Sequence, residues 1–571
     1  MARPPFFKIV TMKKEKERPR LKTNYPLSEI PFNDYPRPTM VRDSYICLNG
    51  TWKVKSSDYD GDILVPYPPE SRLSGIERDI GSKFTYERQF TIPQGFIKDR
   101  VLLHFGAVDQ IATVYVNGVE VIKHEGGYTS FSCDITDYLS QINTLTVEVV
   151  DELDTRLPYG KQSKRSKGMW YTKVSGIWQT VWLESVPEVY VKGLTVDTKE
   201  GIKITADGIT DAVVTVTTPD GEKVYQMKDG VCEFSITAPS LWSPKSPYLY
   251  QYVVDTGEDR VSSYFAIRSI GIVETKVGKR ISLNGKPYFM HGLLDQGYWC
   301  DGIFLPPSTK AYVDEINRLK LFGFNMIRKH VKVEPEIFYY LCDKLGIVVF
   351  QDMVNNGKYR FFRDTLLPNL GFTRKNDRRT HMNSCAREAF LKSMTDTVNQ
   401  LKKHPCICYW TIFNEGWGQF LADDCYKLLK KLDDTRLIDT TSGWFTRNLS
   451  DVKSVHSYFF NPKIDARDRA QVLSEFGGAS YFVERHNCAL KSYGYGRCKS
   501  REDFVQSVKD KYLKVIEWKK KGLSASVYTQ LSDIEDELNG IITYNRMVEK
   551  IHPDELGDLS KELTEEEEYE I

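Results

Sequence analysis

The spacing of apolar and polar positions changes along the chain, and its first part has the period of β-strands. Between residues 40 and 186, short runs of alternating apolar and polar residues are separated by turn-forming residues. Such alternation predicts strands that bury one face, and the pair Asn117-Gly118 favours a type I′ hairpin. The sequence therefore predicts a β-sandwich over residues 40–186, built from the runs TWKVKS, FTYERQFTI, RVLLHFGAV, IATVYVNGVEVI, TLTVEVVDE and WQTVWLESV.

A second all-β block follows over residues 187–275, and residues 1–39 precede the first block as an N-terminal extension. Its size and its Pro-rich segment APSLWSPKSPY predict a small immunoglobulin-like β-sandwich. The runs that carry this prediction are VYVKGLTVDT, AVVTVTTPDG, KVYQMKDGVCEFSI and YLYQYVVDTG.

From residue 276 to residue 551 the pattern changes, because helical segments such as STKAYVDEINRLKLFG and PEIFYYLCDKLG alternate with short apolar runs. This alternation predicts βα units on a parallel sheet, and eight units in about 270 residues fit a (β/α)8 TIM barrel. Residues 552–571 are expected to form an acidic tail, with the end KELTEEEEYEI disordered. The eight candidate strands are YFMHGL, FNMIRKH, GIVVFQDM, CICYWTIFN, RLIDTTSG, VKSVHSY, AQVLSEF and SASVYTQLSD.

Charge and composition narrow the classes of partner. The 78 lysine and arginine residues nearly balance 77 aspartate and glutamate residues, so no nucleic-acid partner is expected. The chain has no apolar run long enough for a signal peptide or a membrane span, and its eleven scattered cysteines fit a reducing compartment, so we expect a cytoplasmic protein without a membrane partner. The absence of an HExxH motif or a tight His/Asp cluster argues against a metal hydrolase, and no metal or organic cofactor is expected.

Two glutamates occupy matching places in the predicted barrel. Glu415 follows the fourth strand, and Glu475 lies at the end of the seventh. Active sites of such barrels form at the C-terminal ends of the strands, where barrel closure would place these two strands across the mouth from each other. For one glutamate alone, a solvated surface charge is the commoner explanation. Two opposed carboxylates without a metal, however, suit glycoside hydrolysis.

The order of motifs along residues 40 to 550 resembles glycoside hydrolase family 2, the retaining β-glycosidases that include β-galactosidases and β-glucuronidases. The segments LNGTW, TYERQF, VYVNG, HEGGYTSF and SGIWQTVWLE are similar to the family's sugar-binding jelly roll. FAIRSI and LNGKPYFMHGL are similar to its entry into the barrel, and FNEGWGQ and SEFGG to its acid/base and nucleophile motifs.

The resemblance implies roles for five residues. Glu415 would be the general acid/base and Glu475 the nucleophile. Asn414 would bind the 2-hydroxyl of the sugar, and Arg328 would orient the nucleophile and favour its ionised form. Tyr458 lies where the family places a tyrosine near the nucleophile, with a buried structural tyrosine as the alternative.

Further substrate-binding candidates lie near the predicted strand ends, and ordinary packing is the alternative for each. Trp299 or Trp444 could form a stacking floor for a sugar. The candidates are Asp295, Trp299, His330, Asp352, Trp444, His456, Tyr528 and Asp533.

One departure from the family pattern bears on the sugar. Where a glucuronidase is expected to carry Asn-x-Lys, Asn545 is followed by Arg546 and Met547, although an arginine can also hold a carboxylate. We therefore expect a retaining exo-β-galactosidase first, with a β-glucuronidase or β-galacturonidase as the alternative and a mannoside or arabinopyranoside also open. A non-catalytic carbohydrate-binding protein on the same fold is the rival of another class.

The expected partner is a small-molecule or oligosaccharide β-glycoside. Sequence alone does not separate a hydrolase from a transglycosylase. Members of the family are commonly dimers or tetramers, so the resemblance leaves a homo-oligomer open.

Overall fold

A computed structural model describes residues 18–369, 372, 376–445, 447–458 and 461–565 of the 571-residue chain. Two β-sandwiches are followed by a barrel, as the sequence pattern predicts. Among the described residues, no helix combines the length and the apolar character that crossing a membrane would need.

The first sandwich packs a six-stranded antiparallel sheet on a four-stranded one. Burial alternates along its strands, as in Gly50–Ser56, so that one face of each sheet forms the core. The predicted hairpin is confirmed, because Asn117 and Gly118 have φ of 51° and 82°, the positive values that a type I′ turn requires. The six strands are, in sheet order, Asp60–Val65, Gly50–Ser56, Lys83–Phe90, Asn143–Val150, Ile111–Val116 and Val119–Glu125; the four are Tyr45–Cys47, Val181–Val186, Arg100–Phe105 and Phe131–Asp134.

The second sandwich has a three-stranded and a four-stranded sheet. Two of its strands, Ile202–Asp207 and Arg260–Phe265, were not among the predicted runs, although burial alternates along the first as it does along strands that were predicted. The remaining strands are Gly193–Asp197, Val231–Phe234, Gly221–Met227, Ala212–Thr218 and Tyr250–Asp255.

The barrel has eight parallel strands, and each predicted run overlaps one of them. Their hydrogen-bonded order is β5-β4-β3-β2-β1-β8-β7-β6, and the Ser454 hydroxyl donates to the Thr441 carbonyl oxygen (3.3 Å) between β6 and β5. The strands are β1 Met290–Asp295, β2 Met326–Lys329, β3 Val348–Asp352, β4 Ile407–Asn414, β5 Leu437–Ser442, β6 Val452–Ser457, β7 Ala470–Gly477 and β8 Leu523–Thr529.

Six longer helices surround these strands, and the last corrects one expectation. Pro553–Thr564 is helical where an acidic tail was expected, and its Leu556 and Leu563, seven residues apart on one face, are buried. Residues 561–564 of the predicted disordered end thus belong to this helix, whereas residues 566–571 lie outside the described part. The helices are α1 Thr309–Leu321, α2 Glu336–Leu345, α3 Ser384–Leu401, α4 Ala422–Leu432, α5 Arg501–Lys520 and α6 Pro553–Thr564; short helical turns span Phe362–Leu366 and Leu367–Asn369.

Two further segments join the domains. A hairpin of Ile270–Thr275 and Gly278–Leu283 leads into the barrel, so the boundary expected at residues 275/276 falls inside its turn. Residues 18–39 contact the barrel at several points, two of which are polar contacts of Arg18 and Thr23. Arg18 Nη1 lies 2.6 Å from Asp536 Oδ1, and the Thr23 amide and hydroxyl both donate to Asp301 Oδ2 at 2.8 Å.

Candidate functional site

The two predicted glutamates lie at the C-terminal mouth of the barrel. Glu415 directly follows β4, and its amide donates to the Ser442 carbonyl oxygen at the end of β5 (2.9 Å). Its φ of 51° lies in the left-handed region, which is strained for a residue with a side chain and is common at functional sites. Glu475 lies near the end of β7, beside His456 of β6.

His456 bridges the two carboxylates. Its Nδ1 is hydrogen-bonded to Glu415 Oε1 (2.9 Å), and its Nε2 lies 3.5 Å from Glu475 Oε1 and 3.2 Å from Ser442 Oγ. One oxygen of each carboxylate and a ring nitrogen of His456 all lie within 4.8 Å of one another. The two glutamates therefore face a common space, and both carboxylates are close enough to contact the same small group.

Arg328 organises this space from β2. Its Nη1 donates to Glu475 Oε1 (3.1 Å), and its Nη2 donates to Asn414 Oδ1 (3.0 Å). Nε and Nη2 also bind both oxygens of Asp352, each at 3.0 Å. Because Arg328 fixes Oδ1 of Asn414, the amide NH2 of Asn414 is turned away from the guanidinium, and it donates to no group among the described residues.

Electrostatics favour the ionised form of Glu475. Burial raises the pKa of its carboxyl group, but the charges of His456, His330 and Arg328 outweigh burial and hold this pKa at about 2. The Tyr458 hydroxyl donates to Glu475 Oε2, and burial, followed by the charge of Glu475, holds the pKa of Tyr458 well above its usual range. Glu475 is therefore a charged carboxylate whose two oxygens are held by an arginine and a tyrosine.

Asp352 holds the guanidinium of Arg328, and His330 in turn holds Asp352. Asp352 Oδ2 is hydrogen-bonded to His330 Nδ1 (2.8 Å). Burial raises the pKa of Asp352, but the charges of Arg328 and His330 outweigh it and hold the pKa at about 2. Burial lowers the pKa of His330 to about 4, so its imidazole is neutral at pH 7 and carries the charge that acts on the two carboxyls only in the acidic range where they titrate.

Trp444 lies at the rim, where its half-buried ring is 5.9 Å from the ring of His456, centroid to centroid. Trp299, by contrast, is 1% exposed and covered by the guanidinium of Arg546, 4.2 Å from its ring centroid. Trp299 therefore cannot form the expected stacking floor.

Three other candidates also belong to the barrel wall. Asp295 is buried and accepts from Lys329 Nζ and from the Gly297 amide. Asp533 pairs with Lys550 (2.5 Å), and Tyr528 is 1% exposed. A strand-end position alone did not distinguish these buried structural groups from groups facing the substrate.

The Asn-Arg-Met segment also turns inward. Arg546 Nε binds Glu315 Oε2 (3.0 Å), and Asn545 Oδ1 accepts from the Thr543 hydroxyl (2.9 Å). The guanidinium of Arg546 is thus already paired in the wall, and the expectation that it could grip a sugar carboxylate is not supported.

A cluster of aromatic side chains at the mouth was not predicted from the sequence, and the first sandwich contributes to it. Trp170 of the sandwich stacks on Trp417, two residues after Glu415, with ring centroids 5.5 Å apart. Tyr359 packs edge-on against both rings, and Lys161 of the sandwich lies over Trp417. The segment GKQ had no recognised motif, so only the folded contact between the domains brings Lys161 to the mouth.

Glu415, His456 and Glu475 are also the group of three side chains, within the described ranges, whose donor atoms are close enough to hold a metal ion. Both oxygens of Glu475 already accept hydrogen bonds, one from Arg328 and one from Tyr458. This arrangement suits a carboxylate that reacts with a substrate better than one that binds a metal ion.

Comparison with known proteins assigns the chain to a family. Three models of glycosyl hydrolase family 2 match the chain: the galactose-binding domain-like model over residues 73–178, the central family 2 model over 187–268 and the TIM barrel model over 273–475. Together they match more than half of the sequence. The chain belongs to glycoside hydrolase family 2.

Individual relatives are more distant. Human β-glucuronidase is 27% identical over 399 residues, which are 62% of this chain and 58% of that protein. A β-galactosidase of Thermoanaerobacter pseudethanolicus is 24% identical over 405 residues, 65% of this chain and 50% of that protein. The solved β-D-glucuronidase of Dictyoglomus thermophilum superposes with a TM-score of 0.72 at 18% identity, covering 93% of this chain and all of that one, and so shares the fold.

Proposed function

We propose that this chain is a retaining exo-β-glycosidase with Glu475 as nucleophile and Glu415 as general acid/base. The observation that carries the proposal is the approach of the two carboxylates to within 4.8 Å around His456. Retaining enzymes hold their carboxyl groups about 5–5.5 Å apart, whereas inverting enzymes leave about 6.5–9.5 Å for a water molecule.

The first step would be attack by the ionised Glu475 on the anomeric carbon. Glu415 would protonate the leaving oxygen, and a covalent glycosyl-enzyme would form as the glycosidic bond breaks. In the second step Glu415 would take a proton from water, which attacks the anomeric carbon and releases Glu475. The free amide NH2 of Asn414 would donate to a sugar hydroxyl beside this centre, the 2-hydroxyl by the family resemblance.

Replacing each glutamate by alanine and adding azide tests the two roles. We expect each variant to lose on the order of 10³-fold or more in kcat. With azide, Glu475→Ala should give the α-glycosyl azide, since azide attacks the substrate directly, and Glu415→Ala should give the β-glycosyl azide from the glycosyl-enzyme. Glu336→Ala, a buried glutamate of α2, is the matched control and should keep its activity.

Two outcomes would contradict the proposal. An inverted product anomer in the NMR spectrum of the wild-type reaction would refute retention. Binding of β-glycosides without any turnover would instead favour the non-catalytic carbohydrate-binding protein.

For the sugar, we propose a β-uronide, that is a β-glucuronide or β-galacturonide. Support comes from the greater similarity to human β-glucuronidase than to the β-galactosidase, and from the Lys161 ammonium beside the mouth. The β-galactoside expected first from the sequence becomes the second candidate. It is favoured by Glu537, a buried carboxylate near Lys161 that suits neutral hydroxyl groups.

Rates of the wild-type enzyme on two matched pairs of p-nitrophenyl glycosides decide between these sugars. Glucuronide is compared with glucoside, and galacturonide with galactoside, because each pair differs only in the carboxylate at C6. We expect the uronide of at least one pair to be the better substrate by 10-fold or more in kcat/KM. Preference for the neutral sugar in both pairs would reject the uronide.

A further inference from the structure

Lys161 is a buried cation without a direct ion pair among the described residues. It is 7% exposed, and no carboxylate oxygen of the described chain lies within 4.0 Å of its ammonium nitrogen. Its nearest partners are aromatic: Nζ lies 5.8 Å from the ring centroid of Trp417 and 5.7 Å from that of Tyr171. Burying an ammonium group costs several kcal/mol unless it is paired, and two rings compensate only part of that cost.

Five other buried cations on the C-terminal side of the barrel differ from Lys161 in this respect. Each has a carboxylate partner within 3.1 Å, and none of these pairs is open to a ligand without breaking an ion pair. The pairs are Arg328 with Asp352 and Glu475, Lys329 with Asp295 and Glu334, Lys332 with Glu334, Lys550 with Asp533, and Arg546 with Glu315.

The backbone fixes the position of Lys161 at the barrel. The amides of Tyr159 and Gly160 both donate to the Asn355 carbonyl oxygen, at 3.1 and 3.3 Å, in the loop after β3. Gly160 has φ of 64°, and a β-carbon there would lie 2.8 Å from the Val331 carbonyl oxygen. The glycine thus permits the close contact that brings the next residue to the mouth.

The charge of Lys161 acts on groups of the reacting centre. It is among the charges that lower the pKa of Glu475, and it also acts on His330. It is the largest influence that opposes the rise in the pKa of Glu537 caused by burial. A sugar held against Glu475 would therefore lie in the field of Lys161.

We propose that Lys161 binds the C6 carboxylate of a β-uronide whose anomeric carbon faces Glu475. The first sandwich would thus supply the anion-recognising group that the barrel segment at Asn545 lacks. This inference rests on the proposed function and goes further by naming the residue that selects a charged sugar. The carboxylate would complete the ion pair that Lys161 lacks in the chain itself.

The test compares Lys161→Met with the wild type on the two matched pairs of substrates. Methionine keeps an unbranched side chain of similar length at a buried position and removes the charge. We expect kcat/KM for the uronide to fall about 100-fold and that for its neutral partner to change less than threefold. Lys164→Met, the same substitution at an exposed position of the same segment, should leave both values unchanged.

Each outcome separates the inference from the proposal on which it rests. Equal losses on the charged and neutral sugars, or no loss on either, would overturn the role of Lys161 while the uronide assignment stands. A wild-type enzyme that turns over only neutral sugars would overturn both. To guard against a folding defect, the melting temperature is measured, and binding of D-glucuronate and D-galacturonate is compared by calorimetry in the Glu475→Gln background with and without Lys161→Met.

Discussion

Arg328→Met is expected to destabilise the protein at neutral pH. Arg328 is 1% exposed and donates to Asp352, Glu475, Asn414 and the Ser474 carbonyl oxygen. Removing one partner of a buried ion pair costs about 3–5 kcal/mol, because the other charge is left unpaired. At pH 7 we therefore expect a loss of this size, seen as a melting temperature lower by about 10 °C.

The size of this effect depends on pH in a defined direction. In the wild type, Glu475 and Asp352 have pKa values of about 2, below their usual 4.5 and 3.8. Carboxyls with depressed folded-state pKa values contribute stability that is present above the unfolded pKa and is lost as pH falls toward 2. Lowering the pKa of Glu475 from 4.5 to about 2 corresponds to about 3 kcal/mol.

Without Arg328, burial is no longer opposed by its charge, and the pKa values of both carboxyls rise. The variant can then relieve the unpaired charges by protonation as pH falls. The difference in melting temperature between wild type and Arg328→Met should therefore be largest at pH 7–8 and should narrow toward pH 4.

Differential scanning calorimetry at pH 4, 5.5, 7 and 8 measures this difference. Arg268→Met is the matched control, since the Arg268 guanidinium donates to three neutral carbonyl oxygens, those of Pro405, Thr435 and Ile407. Its effect should be the same at every pH. A pH-independent difference for Arg328→Met as well would refute the argument that the charge of Arg328 stabilises the two carboxylates.

Three further substitutions test separate parts of the site. Tyr458→Phe removes the hydroxyl that donates to the proposed nucleophile, so kcat should fall about 10- to 100-fold and the acidic limb of the kcat/KM profile should move to higher pH; an unchanged profile would show that the contact is only structural. Trp444→Ala should raise KM about 10-fold and change kcat less than threefold, because a half-buried rim ring can stack on the sugar, and equal KM values would exclude this contact. Gly160→Ala brings a β-carbon to 2.8 Å from the Val331 carbonyl oxygen, so it should lower the free energy of unfolding by about 1–3 kcal/mol in thermal or urea unfolding. The control, Gly95→Ala, has a similar positive φ but no neighbour within 4 Å of the added β-carbon, and it should cost less. Equal effects would contradict a tight domain contact.

The fold and the centre of the site could be predicted because they follow from local pattern. Each barrel strand contains a short apolar run, and the end of such a run marks the barrel mouth. Glu415 and Glu475 satisfy that rule, and the structure brings them together with Asn414, Arg328 and His456.

A position near a strand end does not predict whether a side chain faces the substrate when its role depends on a partner distant in sequence. Asp533 also lies near a strand end, but Lys550 pairs with it inside the wall. Lys161 was not predicted at all, because it lies in a different domain from the glutamates and reaches them only through the backbone contact with Asn355. Neither the pair of Asp533 with Lys550 nor the contact of the Lys161 segment with Asn355 produces a pattern that can be recognised in the sequence.

The contact between the Gly160 segment and the barrel has a consequence for how this enzyme could diversify. Bond cleavage is assigned to side chains of the barrel, whereas discrimination by charge is assigned to one side chain of the first sandwich. Substitutions at residue 161 could therefore change which sugars are accepted without altering the machinery that breaks the bond. Selection could act on the two properties separately, and a new specificity would not require the catalytic centre to be rebuilt.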